Sequence, residues 1–232
     1  MNFRQASLGV GLLCGAFAPV WWVAMILYCA SLFPGYSHLT DFISELAARR
    51  SPTQELMAIG GFIVTGGLYL AFAATLAWQF RRDRRAWFAA PLLALGGLAR
   101  IGSGVYPCEP GCAADAISAS QEWHYRYAAL GFGLMMAAAV AWGFVGNRYQ
   151  KLRQLLALGI GTAMWCAVAL LLMEFHPAWQ GLFQRLASGI LSLWVLVLAV
   201  LTWRIGELPE ELETRSALPR IKASRRRRRP KR

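Results

Sequence analysis

Charge is scarce in this chain. Of its 232 residues only 16% are Asp, Glu, Lys or Arg, where a soluble domain carries roughly a quarter. Acid is scarcer still, with 12 Asp and Glu against 24 Lys and Arg. Short alternating strands, which a membrane barrel needs, are absent, so helices are left to satisfy the backbone within lipid. Histidine occurs only 3 times and forms no HExxH-like pair, so no specific zinc signature is present. The glycines lack the strand-and-helix setting of a phosphate-cradling loop, and no aromatic-interleaved basic module supports nucleic-acid binding. No polar stretch is long enough for a second soluble domain.

What the chain has in quantity is apolar length. Hydrophobic residues make up 57% of it, gathered into six stretches near 6–33, 52–78, 86–105, 127–145, 155–173 and 182–203. Each is long enough to cross roughly 30 Å of hydrocarbon. The expected fold is an all-α membrane protein, a six-helix transmembrane bundle over residues 1–205 followed by a basic, disordered tail at 206–232.

The basic residues fall on alternate connections. If the N-terminus is cytoplasmic, the cytoplasmic segments hold 19 of the 24 Lys and Arg. Arg81, Arg82, Arg84, Arg85, Arg148, Lys151 and Arg153 agree with this even without the tail. Such asymmetry places both termini on the cytoplasmic side of the membrane. Seven tryptophans, among them Trp21, Trp22, Trp78 and Trp203, fall near the predicted span ends, as interfacial aromatics do. The first stretch begins after Arg4, but its apolar region runs for about 26 residues, beyond the roughly 7–15 of a signal-peptide core, and it reads as an uncleaved helix. Leu12-Leu13-Cys14-Gly15 is not a lipoprotein cleavage site, because Leu13 stands where a small residue is wanted.

Between the first two spans, Pro34-Gly35-Tyr36 makes a turn. From Ser37 to Arg50 the pattern is that of a short amphipathic helix on the outer face. At 100° per residue, His38, Asp41, Glu45 and Arg49 share an arc of about 80°, while Leu39, Phe42, Ile43 and Leu46 form another. The apolar arc faces the bilayer or the bundle. Ser51-Pro52-Thr53-Gln54 and Ser118-Ala119-Ser120-Gln121 read as capping boxes opening the second and fourth spans. Glycine pairs at 60–61, 66–67 and 96–97, and the Gly11/Gly15 spacing, allow close helix approach. The tail ends in Arg225 to Arg229 and Pro230-Lys231-Arg232, a run suited to anionic lipid of the inner leaflet at about 1 kcal/mol per basic residue.

The three histidines, His38, His124 and His176, all map to the outer side, and Asp41, Glu45, Glu122 and Glu174 accompany them. Histidine and carboxylate together are usual zinc ligands, so His38, Asp41, His124 and His176 are the metal candidates. Ser44 lies among them as a nucleophile or a group that orients water, and the catalytic candidates are His38, Asp41, Ser44, Glu45 and His124. Arg100 is the sharpest single residue. It sits about fourteen residues into the third span, where an arginine costs about 2.5–3.5 kcal/mol on insertion scales. A partner is expected for it: Glu45, Glu122, Glu174 or a lipid phosphate held bidentately. Arg100, Glu122, Glu174 and His176 are accordingly the ligand-binding candidates. Glu122 and Arg126 are also spaced to pair with each other. Cys108-Glu109-Pro110-Gly111-Cys112 places two thiols around a Pro-Gly turn, suited to a disulfide in an oxidising compartment. Cys14, Cys29 and Cys166 lie within spans and read as small apolar residues.

The stretch Gly35-Tyr36-Ser37-His38-Leu39-Thr40-Asp41-Phe42-Ile43-Ser44-Glu45-Leu46, lying between the first two spans, resembles a bacterial integral-membrane family catalogued as domain of unknown function 998. Tyr106-Pro107 after the third span and His124 entering the fourth extend the likeness to roughly residues 5–205. In that family an acidic residue often follows shortly after the proline; here Cys108-Glu109 occupies that stretch. Ile43-Ser44-Glu45 is also similar, more distantly, to the Ile-Ser-Asp segment of Frag-type and DRAM-type membrane proteins. These resemblances imply a six-helix bundle whose outer surface matters, and they bring no activity with them.

Three functions fit these residues. The leading one is binding or handling of a lipid or other amphiphile at the outer face, with Arg100 meeting an anionic headgroup and His38, Asp41, Glu45 and His124 lining the mouth. A membrane hydrolase, with zinc activating water, would use the same residues. A non-enzymatic scaffold would present the same surface to a protein partner. Transport is less attractive, because the spans show no broken-helix repeat.

Overall fold

The computed structural model describes residues 3–112 and 118–205; the expected basic tail at 206–232 lies outside them. Among the described residues there are helices and turns and no strand. Six helices are long and apolar enough to cross a membrane, and the protein is a multi-pass membrane protein. They are α1 (Phe3–Ser31), α2 (Val64–Gln79), α3 (Ala86–Val105), α4 (Ala119–Gly146), α5 (Gln154–Phe175) and α6 (Gln180–Ile205). Each helix packs chiefly on its neighbours in sequence, and α6 returns to α1, so the bundle closes as a ring.

The second span differs from expectation in kind. A π-helical segment, Leu56–Ile63, leads into α2. Its widened turn is covered by Trp21, whose Nε1–H donates to the carbonyl of Gly60 at 2.7 Å. The capping residues before it are shifted by one position. Gln54 Oε1 accepts from the amide of Arg50 (2.8 Å), while Ser51 donates its hydroxyl to Leu46 O (2.8 Å). Glycine sets the closest helix approach, as expected. A Cβ on Gly66 would stand 2.6 Å from Gly97 O, and one on Gly97 would stand 2.8 Å from Gly66 O, so α2 and α3 touch backbone to backbone.

The stretch expected as an amphipathic helix over 37–50 is helical only at Ile43–Ala47, a short 3₁₀ turn. Its apolar side faces the bundle, with Ile43, Leu46 and Ala47 buried. The reason lies in the polar residues before it. Asp41 draws the chain into a turn by accepting from the Ser37 amide (2.8 Å) and the Thr40 hydroxyl (2.7 Å). Side chains of this kind compete with helical backbone bonds.

Helix α4 begins earlier than the 127–145 stretch suggests. Ser118 caps it, accepting from the Gln121 amide (3.1 Å). Two further turns therefore carry Gln121, Glu122, His124 and Arg126 on a rigid element. Gln121 does not close the expected box. Its Oε1 accepts from Glu109 N (2.6 Å) and ties the 106–112 loop to α4.

The connections rich in arginine meet at one end of the bundle. There Asp83 is buried at 6% exposure and accepts from the amide of Arg85 (3.0 Å) and the hydroxyl of Tyr149 (3.2 Å). Arg148 Nη1 lies 3.5 Å from the same carboxylate. Phe80 packs edge-on against Trp142 and Tyr149 beneath this cluster. The 36–50 and 106–112 loops lie at the opposite end, joined by the Arg49–Glu109 ion pair (3.4 Å) and the Arg49 amide bond to Cys108 O (2.8 Å).

Candidate functional site

Arg100 projects from α3 toward the middle of the ring. Its guanidinium lies 4.1 Å from the centroid of a Trp22 ring and 5.5 Å from that of Tyr69. Among the described residues it has no hydrogen-bond or ion-pair partner. The three acids expected to pair with it do not. Glu45 accepts from the Phe42 amide (2.8 Å), Glu122 pairs with Arg126 on an exposed helix face, and Glu174 is exposed at the end of α5. Trp22, expected at an interface, is 3% exposed and forms a wall of this site. Its Nε1–H donates to Ser188 Oγ (3.0 Å), which fixes the indole plane beneath Arg100.

The guanidinium opens onto a cavity of about 70 Å³. Ser44, Ser103, His124, Gln184 and Ser188 give the cavity its polar groups, and Phe62, Phe132 and Met135 its apolar ones. His124 is 4% exposed. Its Nδ1 faces two acceptors, Tyr106 O at 2.8 Å and Ser103 O at 3.1 Å. We assign the proton to Nδ1 on that network, which leaves Nε2 of the neutral ring as an acceptor. Ser44, at the start of the 3₁₀ turn, is 6% exposed, and its hydroxyl has no partner among the described residues. Gln184 Oε1 accepts from Ile43 N (2.5 Å), which anchors the 3₁₀ turn to α6 and leaves the amide NH₂ without a bond among the described residues. A second cavity, of about 330 Å³, adjoins the first; Ser44, His124, Ala128, Phe132 and Gln184 line both.

The structure thus brings Arg100, Ser44 and His124 to one chamber and leaves the other candidates outside it. His38, Asp41 and Glu45 gather instead around Arg185. Its Nε–H donates to His38 Nδ1 (3.1 Å), its Nη1 to Asp41 O (2.8 Å) and Gly181 O (2.7 Å), and its Nη2 to the Tyr36 hydroxyl. Partial desolvation holds His38, though exposed, below its ordinary pKa, and the Arg185 cation adds to the effect. Burial pushes Glu45 up and Tyr36 to about 12, so the phenol keeps its proton and donates to Phe42 O (2.9 Å). This cluster folds the 36–42 loop onto α6. His176 is exposed, its ring 6.0 Å from that of Phe183. Among the described residues no three His, Cys, Asp or Glu side chains are grouped to hold a metal, and His38, Asp41, His124 and His176 are not gathered about one point. Cys108 and Cys112 stand at disulfide distance, with Cα atoms 5.2 Å apart.

Sequence reasoning missed Ser103, Gln184, Ser188 and the aromatic floor of Trp22 and Tyr69. The first three had a signal: polar side chains in otherwise apolar spans, with Gln184 and Ser188 one turn apart on one face of α6. Trp22 had none, because its burial follows from ring closure between α1 and α6. No curated protein and no solved structure matches the chain. A family model described as a protein of unknown function (DUF998) matches residues 16–201, and on that extent the chain belongs to the DUF998 family.

Proposed function

We propose that this membrane protein binds an anionic lipid or other anionic amphiphile in the chamber beneath Arg100. One observation carries the reading: a guanidinium with five N–H donors, set among apolar helices, stacks on aromatic faces and has no hydrogen-bond or ion-pair partner among the described residues. Cation–π contact is worth about 2 kcal/mol when desolvated and leaves the in-plane donors unused. A carboxylate or phosphate would satisfy them bidentately. Ser44, Gln184 and Ser188 add neutral polar groups around the same point, and the adjoining cavity is apolar enough for hydrocarbon.

In this reading the chamber faces outward from a bacterial cytoplasmic membrane, with the arginine-rich connections inside; the charge asymmetry supports that orientation. Cys108 and Cys112 pair there and brace the loop that holds His124 in place. A zinc-dependent hydrolase lacks its ligands among the described residues, since no three suitable side chains converge.

The test is lipid carried through purification. Native mass spectrometry of the wild-type protein should show a bound anionic amphiphile, and Arg100→Gln should reduce its occupancy at least about tenfold, the weight of one charge-assisted hydrogen bond or slightly more. Equal occupancy in the two proteins would remove the proposal.

A further inference from the structure

The two cavities differ in size and chemistry, and the difference selects a class of ligand. Resting on the binding reading above, we infer that the chamber takes a single-chain amphiphile with a compact anionic head, a fatty carboxylate or a monoalkyl phosphate, whose chain enters sideways from the bilayer between α4 and α5. The inner cavity, about 70 Å³, has room for roughly five water-sized groups at about 15 Å³ each. A carboxylate or phosphate fits that space; a sugar or choline headgroup does not. The outer cavity, about 330 Å³, is at the small end of ligand pockets, which run roughly 300–1,000 Å³. One chain suits it better than two. Its far walls are Met136, Leu170 and Met173, and methionine adapts to a flexible chain.

The route in follows from how α4 and α5 pack. Toward the basic end they are pressed together by glycine. A Cβ on Gly143 would stand 2.9 Å from Leu156 Cα, and one on Gly159 would strike the Ala139 carbonyl. Toward the other end that contact is lost. Tyr125, Ala129 and Gly133 recur every fourth residue on α4, are exposed, and line the outer cavity. A Cβ on Gly133 would meet nothing within 4 Å. The helices diverge there, and the gap opens on the side of the bundle that hydrocarbon would cover.

Gly133 also supplies the test, because a large side chain can be added there without striking the backbone. Full-length protein in nanodiscs of uncharged lipid is titrated with dodecyl phosphate, dodecanoate and butyl phosphate, with affinities referred to free aqueous ligand after uptake by protein-free nanodiscs is subtracted. The wild type should bind a dodecyl ligand at least about tenfold tighter than butyl phosphate, the effect of burying as few as two further methylenes. The stronger of dodecyl phosphate and dodecanoate identifies the head. Gly133→Phe should erase the chain-length advantage while leaving butyl phosphate affinity within about twofold. Ala129→Leu, on the same face, should reduce it in part and serves if Gly133→Phe does not fold. Arg100→Gln should lose all three ligands. Retention of the chain-length advantage in both α4 variants would overturn the lateral route and leave the binding reading standing. Tighter binding of a two-chain anionic phospholipid than of either dodecyl ligand would overturn the single-chain assignment. Ligand affinities unchanged by Arg100→Gln would overturn both readings.

Discussion

Arg100 and Arg185 are both arginines in apolar helices, and they are handled in opposite ways. Arg185 spends its donors on His38, Asp41, Gly181 and Tyr36, so it is a structural clasp for the 36–42 loop. Arg100 has rings beside it and, among the described residues, no acceptor. A buried polar group without a partner calls for an explanation, and the proposed anionic ligand supplies one. The clasp predicts a pH dependence. His38 must be neutral to accept from Arg185, and its pKa is held below the ordinary 6.5. Its contribution to docking is therefore present above about pH 6.5 and lost as pH falls through the lower folded value. Asp41, Glu45, Tyr36 and Arg185 are the other charged or titratable groups around it. The Leu182 amide, which donates to Leu39 O (3.0 Å), reports the docking. Its hydrogen-exchange protection, corrected for intrinsic rate, should fall between pH 7.5 and pH 5 in the wild type, and His38→Gln should flatten the change. Protection independent of pH would refute the clasp's dependence on neutral His38.

The elements differ in how far local sequence specifies them, and the difference has one cause. Six helices follow from apolar length alone, because lipid leaves the backbone no other partner. The early start of α4 was marked instead by its Ser118 cap. The π turn before α2 does not follow from local order, because it is held by a side chain reaching across the fold, Trp21 to Gly60. The short surface helix shrank to a 3₁₀ turn because Asp41 bonds locally. Glycine spacing was the most legible packing signal, and it can be checked within one pair. Gly66→Ala should lower stability by about 1–3 kcal/mol, since its Cβ meets the Gly97 carbonyl at 2.6 Å. Gly67→Ala, whose Cβ meets nothing within 4 Å, should be neutral or stabilising by up to about 1 kcal/mol. Thermal unfolding in detergent measures both, and equal losses would show that the α2–α3 contact is looser than described.

At the scale of the whole molecule, the ring of helices and the charge asymmetry combine into one directional object. The chamber lies toward the 36–50 loop, away from the arginine-rich connections. In a background without Cys108 and Cys112, a cysteine at Thr40 should react with an impermeant thiol reagent in intact cells. One at Arg84 should react only after permeabilisation, and the reverse pattern would invert the proposed orientation. The sequence by itself determined the helical class, the number of spans and the family, because each depends on composition and local order along the chain. It also marked Arg100, a charge in an apolar run, and Ser44 and His124, which stand among the histidines and carboxylates of the outer side. Only the tertiary structure decided which candidates meet. His38, His124 and His176 share one end of the bundle, yet ring closure buries His124 in the chamber, hands His38 to Arg185 and leaves His176 exposed. Which face of a helix turns inward is set by its neighbours, and that information is spread over all six.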